Sequence, residues 1–372
     1  MKQGWEIKPF EEILEKVKYS KKIPKQQYKK RGTYPIVSQE QEIISGFWDE
    51  KNDLFRLNKP IVIFGDHTKV VKYIDFDFVI GADGVKILSP TEEILTKYLY
   101  YFVLSVNLRD LGYARHFRLL KEQKIPVPSL LEQGRIVGVL DAAFAKIDAL
   151  KENAQKNLEN AKALFQQVLK QELTPKPNWQ TKKLGEIALK KLSYGASVPS
   201  RNFDGEYRYI RITDIDEDGK LLNDLVSPAV CEEKHILHSG DLLLARTGGT
   251  IGKSYLYSPE DGKCIYAGYL IRVIVNQDIV LPEFVFFNTK TDRYWNFIKK
   301  SQKTAAQPNI NAQQYSSFDI PYPSKDEQEG IVRKIKSIFT KQKQLEKCCQ
   351  KTIAECDALK QAVLRRAFNG EL

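Results

Sequence analysis

The chain has 372 residues, 42% of them hydrophobic, and a formal charge of +11. That length calls for two or three domains, and the absence of any apolar run near ~18 residues argues for a soluble protein without a membrane span. The positive excess is spread along the chain rather than gathered in a tail, so it permits a polyanionic partner without requiring one.

The opening segment MKQGWEIKPFEE lacks the apolar core of a secretory signal, which points to the cytoplasm. The first β-like stretch begins at Trp5 (WEIKPFEEI). KPIVIFGD (59–66) and FDFVIGADGVKIL (76–88) follow, β-rich runs separated by Gly, Asp and Asn turns. A short helix is expected near 93–105, then the basic segment YARHFRLLK (113–121) and the sequence IPVPSLLEQGRIV from Ile125.

A long helical pattern comes next. Ile136, Leu140, Ala143, Ile147, Leu150, Ala154, Ala161, Leu164 and Val168 step by threes and fours, with Asn157 in register. Beyond it a second Trp (Trp179, WQTKKLGEI) opens another β-rich region. The acidic run DIDED (214–218) leads into Gly219 and reads as a solvated turn. His235 and His238 have the spacing of a metal pair, but no third ligand stands out nearby, Cys231 being the closest candidate, so a surface loop is the preferred reading.

LLLARTGGTIGKS (242–254) ends like a phosphate-binding loop. The pattern G-x-x-x-x-G-K-[ST] would need Gly where Thr247 stands, and a helix should follow to hold the phosphate. Tyr255-Leu256-Tyr257-Ser258-Pro259 is extended instead, and nucleotide binding is rejected. YLIRVIV (269–275) reads as a strand and 282–299 as helical. QPNIN (307–311) and IPYPSKDEQEGIV from Ile320 lead into a second long helix.

The second half repeats the first. IPVPSLLEQGRIV and IPYPSKDEQEGIV share Ile, Pro, Pro, Ser, Glu, Gln, Ile and Val at an offset of 195. The same offset carries the helical pattern to Ile331, Ile335, Ile338, Gln342, Leu345, Cys349, Thr352, Cys356, Leu359 and Val363. About five heptads in each copy argue for a coiled coil. Ser129 and Ser324 are candidate N-caps. Helices of this length span ~60 Å, and two complementary seams in one chain pack most simply on each other, with Asn157, Gln342 and Thr352 fixing the register.

The organisation is therefore A-B-A′-B′: an α+β segment at 1–128, a helix at 129–173, a second α+β segment at 174–320 and a helix at 321–372. The helices align without a gap over most of their length, whereas the globular segments match only at landmarks. Such supports suggest that the globes discriminate. Catalytic signatures are missing: there is no G-x-G-x-x-G opening a helix, no H-E-x-x-H, no Asn-Pro-Pro-aromatic sequence and no G-x-S-x-G. The five cysteines include no CxxC pair, and Cys348, Cys349 and Cys356 have no histidine among them. They read as reduced thiols, with no metal site.

Trp5, Trp179, GDLLLARTGG (240–249), QPNIN and the duplicated I-P-x-P-S…E-Q junctions together resemble the DNA-specificity subunit of type I restriction–modification systems, over essentially the whole chain. The resemblance implies two target-recognition domains joined by two conserved helices in an antiparallel coiled coil. Each domain would read half of a bipartite, asymmetric site in double-stranded DNA, with the helices as a ruler between halves about one helical turn, ~34 Å, apart. It implies no catalysis and no cofactor in this chain. The partners would be two methyltransferase subunits carrying S-adenosylmethionine, and a restriction (translocase) subunit using ATP where one is present. A coiled-coil adaptor that binds protein rather than DNA is the alternative.

In that light the RTGGTIGK turn is a loop approaching the DNA backbone: Gly248 and Gly249 permit close approach, Arg246 and Lys253 supply charge, and Thr247 and Thr250 donate to phosphate. A plain hairpin turn is the competing reading. Gln307, Asn309 and Asn311 are amides of the kind that pair with adenine, or else a structural motif of the domain. In the first domain FGDHTK, with His67, Thr68 and Lys69, and the segment bearing Arg115, His116, Arg118 and Lys121 occupy the corresponding places. Exposed helix positions such as Lys334 and Lys341 are candidate methyltransferase contacts.

Overall fold

The computed structural model describes residues 4–109, 112, 114–302 and 309–372. It comprises two compact units, Met1–Lys156 with Cys349–Leu372, and Asn157–Cys348.

In the first unit, strand Glu6–Pro9 pairs antiparallel with Lys124–Val127, placing Ile7 opposite Pro126. The Trp5 landmark and the I-P-V-P junction are thus neighbours that close the globular segment. Prolines, which cannot donate to a ladder, are tolerated in such a two-stranded edge. A five-stranded sheet unites Lys22–Ile23, Phe78–Gly81, Tyr34–Val37, Gly46–Trp48 and Leu54–Phe55, and a three-stranded one Val71–Ile74, Ile61–Gly65 and Val85–Leu88. The continuous apolar run IVIF has a strand's alternation. Val62 and Phe64 enter a core with Phe10, Tyr98 and Phe102, while Ile61 and Ile63 enter another with Phe78 and Ile80. The first of these cores also takes Ile136 and Leu140 from the start of one long helix, and Leu364 and Ala367 from the end of the other.

The second unit follows the same plan. Gln180–Lys183 pairs antiparallel with Asp319–Tyr322, Lys182 opposite Ile320. A four-stranded sheet runs Ser193–Tyr194, Leu270–Val273, Leu242–Ala245, Ser254–Leu256, and Arg208–Ile210 lies parallel to Cys264–Tyr266. Leu242 and Leu244 face a core with Phe284 and Tyr315, Leu243 and Ala245 one with Tyr255 and Tyr266. The helix expected at 282–299 is two helices, Pro282–Asn288 and Asp292–Gln302.

The E-Q pair of each junction has a structural reason. Gln133 is fully buried; its amide donates to the carbonyls of Glu93 and Pro128 and its oxygen accepts from Leu95 N–H at 2.9 Å. Gln328 repeats this with Ile279 O, Pro323 O and Leu281 N–H. Each glutamine ties the first turn of its long helix to the residues that start helix Thr96–Ser105 or Pro282–Asn288. Ser129 and Ser324 accept the N–H of Glu132 and Glu327 at 3.4 Å, long bonds that still mark the helix starts.

The long helices are Leu130–Glu172 and Lys325–Phe368, of 43 and 44 residues. Within the first unit they run antiparallel, with Lys151 Nζ 2.6 Å from Asp357 and Lys360 paired with Asp148. Within the second, Phe165 and Phe339 have ring centroids 5.2 Å apart and Lys334 lies 2.6 Å from Glu172.

The heptad register departs from the expected one at Leu150, Asn157, Leu164, Leu345 and Leu359. Ile136, Leu140, Ile147, Ala154 and Ala161 are buried, as are Ile331, Ile335, Gln342, Cys349 and Cys356; Val168, Ile338, Thr352 and Val363 are partly buried. Leu150, Leu164, Leu345 and Leu359, however, are 51%, 57%, 43% and 48% exposed, and Asn157 is exposed. The seam passes one residue later, through Phe144, Lys151, Leu158 and Phe165, and through Phe339, Glu346, Ile353 and Lys360. Three of these are charged, so a pattern of apolar residues steps onto the leucine before them. Of the polar residues expected to fix the register, Gln342 donates to Glu346 of its own helix at 3.0 Å rather than across the seam.

Candidate nucleic-acid interface

In both units, the loop leaving the central strand meets the segment before a one-turn helix. In the second, Arg246 follows strand Leu242–Ala245, and its carbonyl accepts the N–H of Ile310 at 2.9 Å. In the first, Asp66 follows Ile61–Gly65, and its carbonyl accepts the N–H of His116 at 2.8 Å. The helices that follow, Phe117–Lys121 and Ala312–Ser316, are related by the offset of 195. The structure therefore brings FGDHTK to the YARHFRLLK segment and RTGG to Asn309–Asn311.

The second unit has a concavity of about 700 Å³ lined by Ser197, Arg211, Thr213, Arg246 and Tyr269, among others. Arg211 is spent within the fold. Its guanidinium bonds Asp214 at 2.8 Å and Asp224 at 2.6 Å, and these carboxylates raise its pKa further, the Asp214 hydrogen bond most. Arg246 is different: it lies over the Tyr194 ring at 4.6 Å and donates Nε–H to Asn309 Oδ1 at 3.2 Å. Among the described residues, no carboxylate pairs with it.

The remaining candidates in this loop divide. Gly248 has φ of 67°, which glycine adopts freely, and a Cβ at Gly248 or Gly249 would meet no described residue within 4 Å; both glycines are exposed. Thr247 bridges to Asn309 and Thr250 donates to Thr247 O at 3.2 Å. Lys253 is drawn inward: its side chain is 16% exposed, 2.9 Å from Glu217, and donates to Ile215 O. DIDED is accordingly less solvated than expected, with Asp214 buried and Asp218 2.5 Å from Lys343. Asn309 Oδ1 is occupied by Arg246, and Asn311 caps helix Ala312–Ser316 by accepting Gln314 N–H at 2.8 Å. Gln307 lies outside the described residues.

In the first unit a loop that sequence reasoning missed, Ser38–Ser45, joins the site. Gln39 Oε1 accepts His67 N–H at 3.1 Å, and Gln39 O accepts the Thr68 hydroxyl at 2.6 Å. Lys69 has φ of 58° in the tight turn. Gly84 has φ of 76°, a conformation that side chains rarely adopt, and a Cβ there would lie 2.5 Å from Gln39 Oε1, so a larger residue would be strained and would displace Gln39. His116 is buried with Nδ1 3.1 Å from Asp66 O, so it supports the loop rather than facing out. Arg115 and Arg118 are exposed, and Lys121 pairs with Glu11. The only sequence signal for the 38–45 loop is its position, since Thr213 follows strand Arg208–Ile210 much as Gln39 follows Tyr34–Val37.

That loop rests on a buried lysine. Lys72 Nζ donates to Ser38 O at 2.8 Å and Glu42 O at 2.5 Å, and burial pushes its pKa down to about 8. The unfolded chain thus binds more protons between pH 8 and about 10.4, and this group's contribution to stability rises across that window and is lost as pH falls through 8. Denaturant titrations at pH 7.5 and 10 should show a smaller alkaline gain for Lys72→Met than for the wild-type chain; equal gains would contradict the assignment.

His235 is buried edge-on to Tyr266, with centroids 5.6 Å apart, Cys231 is exposed, and His238 Nδ1 lies 3.1 Å from Arg272. Among the described residues no group of three or more His, Cys, Asp or Glu could hold a metal ion. Nor is any helix there long and apolar enough to cross a membrane. The Gly-Lys-Ser of the loop runs into strand Ser254–Leu256, not a helix.

The chain is similar over most of its length to known proteins. The family model described as the type I restriction modification DNA specificity domain matches residues 2–160 and 176–355. The chain is 26% identical over 333 residues to the type I restriction enzyme EcoR124I/EcoR124II specificity subunit of Escherichia coli, covering 81% of this chain and 78% of that one. It is 28% identical over 332 residues to the EcoKI specificity subunit of Escherichia coli K12, covering 81% and 70%. A chain solved in a study of type I R-M complex assembly and conformational transition superposes with a TM-score of 0.74 at 18% identity, covering 100% of this chain and 99% of that one. The HsdS subunit from Thermoanaerobacter tengcongensis gives 0.54 at 18% identity, covering 100% and 98%. At such identity the structures establish a shared fold.

Proposed function

Since this chain belongs to the type I restriction–modification DNA specificity family, we propose that it is the non-catalytic subunit that selects the DNA target and scaffolds the complex. Residues 1–128 and 174–320 are the target-recognition domains, each reading one half of a bipartite, asymmetric site in double-stranded DNA. Residues 129–173 and 321–372 are the spacer helices. The carrying observation is the pair of loop clusters built on one plan with unlike residues, Asp66 in one and Arg246 in the other. Equal scaffolds with unequal contacts suit unequal half-sites. Adenine methylation belongs to two partner methyltransferase subunits with S-adenosylmethionine, and cleavage to an ATP-driven restriction subunit where one is present; the complex works in the cytoplasm.

The decisive test is a genome-wide map of methylated adenine in a host with the methyltransferase, with and without this chain. A split motif that depends on the chain supports the reading. An assembled complex that adds no motif would favour a protein-binding adaptor.

The exposed leucines give the methyltransferase its docking faces in this proposal. Leu150 and Leu359 in the first unit, and Leu164 and Leu345 in the second, recur at the repeat offset, which suits two copies of one partner. Leu164→Glu with Leu345→Glu should weaken capture of one methyltransferase copy at least tenfold in size-exclusion titrations, leaving the melting temperature within a few degrees. Unchanged stoichiometry and affinity would remove these faces from the assembly.

A further inference from the structure

Arg246 combines features that no other cation of the concavity shares. Its plane is fixed by the Tyr194 ring at 4.6 Å and by the Nε–H bond to Asn309 at 3.2 Å. Tyr194 is itself held, its hydroxyl accepting Ala312 N–H at 3.0 Å at the start of helix Ala312–Ser316. Both terminal amino groups of Arg246 remain without a partner among the described residues, in a concavity open to solvent. Arg211, across the same space, has its charge answered by Asp214 and Asp224.

Planar guanidinium groups whose rotation is already restricted lose little entropy on binding, and their two amino groups match a pair of acceptor atoms. Resting on the DNA-specificity reading above, we infer that Arg246 is the DNA contact of this concavity and that Tyr194 and Asn309 are positioning residues that aim it. The ligand chemistry is a pair of acceptors presented side by side, O6 and N7 of a guanine or two oxygens of one phosphate. Asn309, an amide suited to adenine, is committed to the arginine instead.

The test uses the whole specificity–methyltransferase complex, reading binding to the mapped target across a salt series and the methylated motif in cells. Arg246→Lys keeps the charge and loses the paired geometry and the stack; binding should fall about tenfold or more. Loss of one base preference in one half-site identifies guanine, whereas uniform weakening across sequences, with a reduced salt slope in Arg246→Ala, identifies phosphate. Tyr194→Phe keeps the ring but loses the hydroxyl that accepts Ala312 N–H, and should weaken binding less than Tyr194→Leu does. Tyr194→Leu should weaken binding several-fold, and the double variant Tyr194→Leu/Arg246→Lys should bind no worse than Arg246→Lys alone. A purely structural tyrosine would give additive losses and overturn the positioning role. Unchanged affinity and motif in Arg246→Lys, with the wild-type complex active, would overturn the inference while sparing the family function. A wild-type complex with no split target would instead remove its premise.

Discussion

Asp241→Leu is expected to destabilise the second unit by about 3–5 kcal/mol, the cost of leaving a buried charge without its partner. Asp241 opens the GDLLLAR run and is buried, as is Arg272 on the neighbouring strand, and their charged groups are 2.6 Å apart. The carboxylate also accepts His238 N–H at 2.6 Å. Removing Asp241 strands Arg272, whose Nε already has no hydrogen-bond partner among the described residues. The double variant Asp241→Leu/Arg272→Met removes both charges and should recover most of the loss. Urea denaturation of the four chains reads the cycle directly. A loss below ~1 kcal/mol in the single variant would mean that water reaches the pair.

The second large effect concerns the junction glutamines. Gln133→Leu fills similar space but leaves the Leu95 N–H and the carbonyls of Glu93 and Pro128 without their bonds. At about 1–3 kcal/mol for each buried group left unsatisfied, a loss of about 3 kcal/mol is expected, or roughly 8 °C in melting temperature for a unit of this size. Gln328→Leu should lose as much in the other unit. Glutamate in place of either glutamine keeps the acceptor but loses the donor, and should fall between. If the leucine variants melt within two degrees of wild type, the bonds are replaceable by solvent and the junction is held by packing alone.

Much of this molecule can be read from its sequence because duplication supplies an internal control. Two matches, one at the tryptophans and one at I-P-x-P, are the two strands of each closing pair. The long helices follow from a period repeated at one offset. The register fails where charge replaces apolar side chains: Lys151, Glu346 and Lys360 sit where a hydrophobic pattern has no reason to look, and only their pairing with residues such as Asp357 and Asp148 makes those places tolerable. The interface is less legible. Arg246 and Lys253 look equivalent in RTGGTIGK, yet a distant carboxylate, Glu217, takes one and an aromatic ring takes the other. Asn309 and Asn311 resemble base readers, but whether an amide is already occupied depends on the partner that folding brings, which adjacent residues do not reveal.

Apart from side-chain packing on the long helices, the fastening of each globe is blind to side-chain identity on the globe itself. It consists of main-chain hydrogen bonds between the entering and leaving strands, reinforced by a glutamine that touches only carbonyls and an N–H. Any globe that brings two extended ends together satisfies it. Mutation can therefore rewrite the loops, and recombination at the shared junctions can trade globes that keep the apolar face packed on the helices, with little demand for compensating change in the supports. Heritable variety in what such a protein recognises is inexpensive, and that economy lies in the backbone.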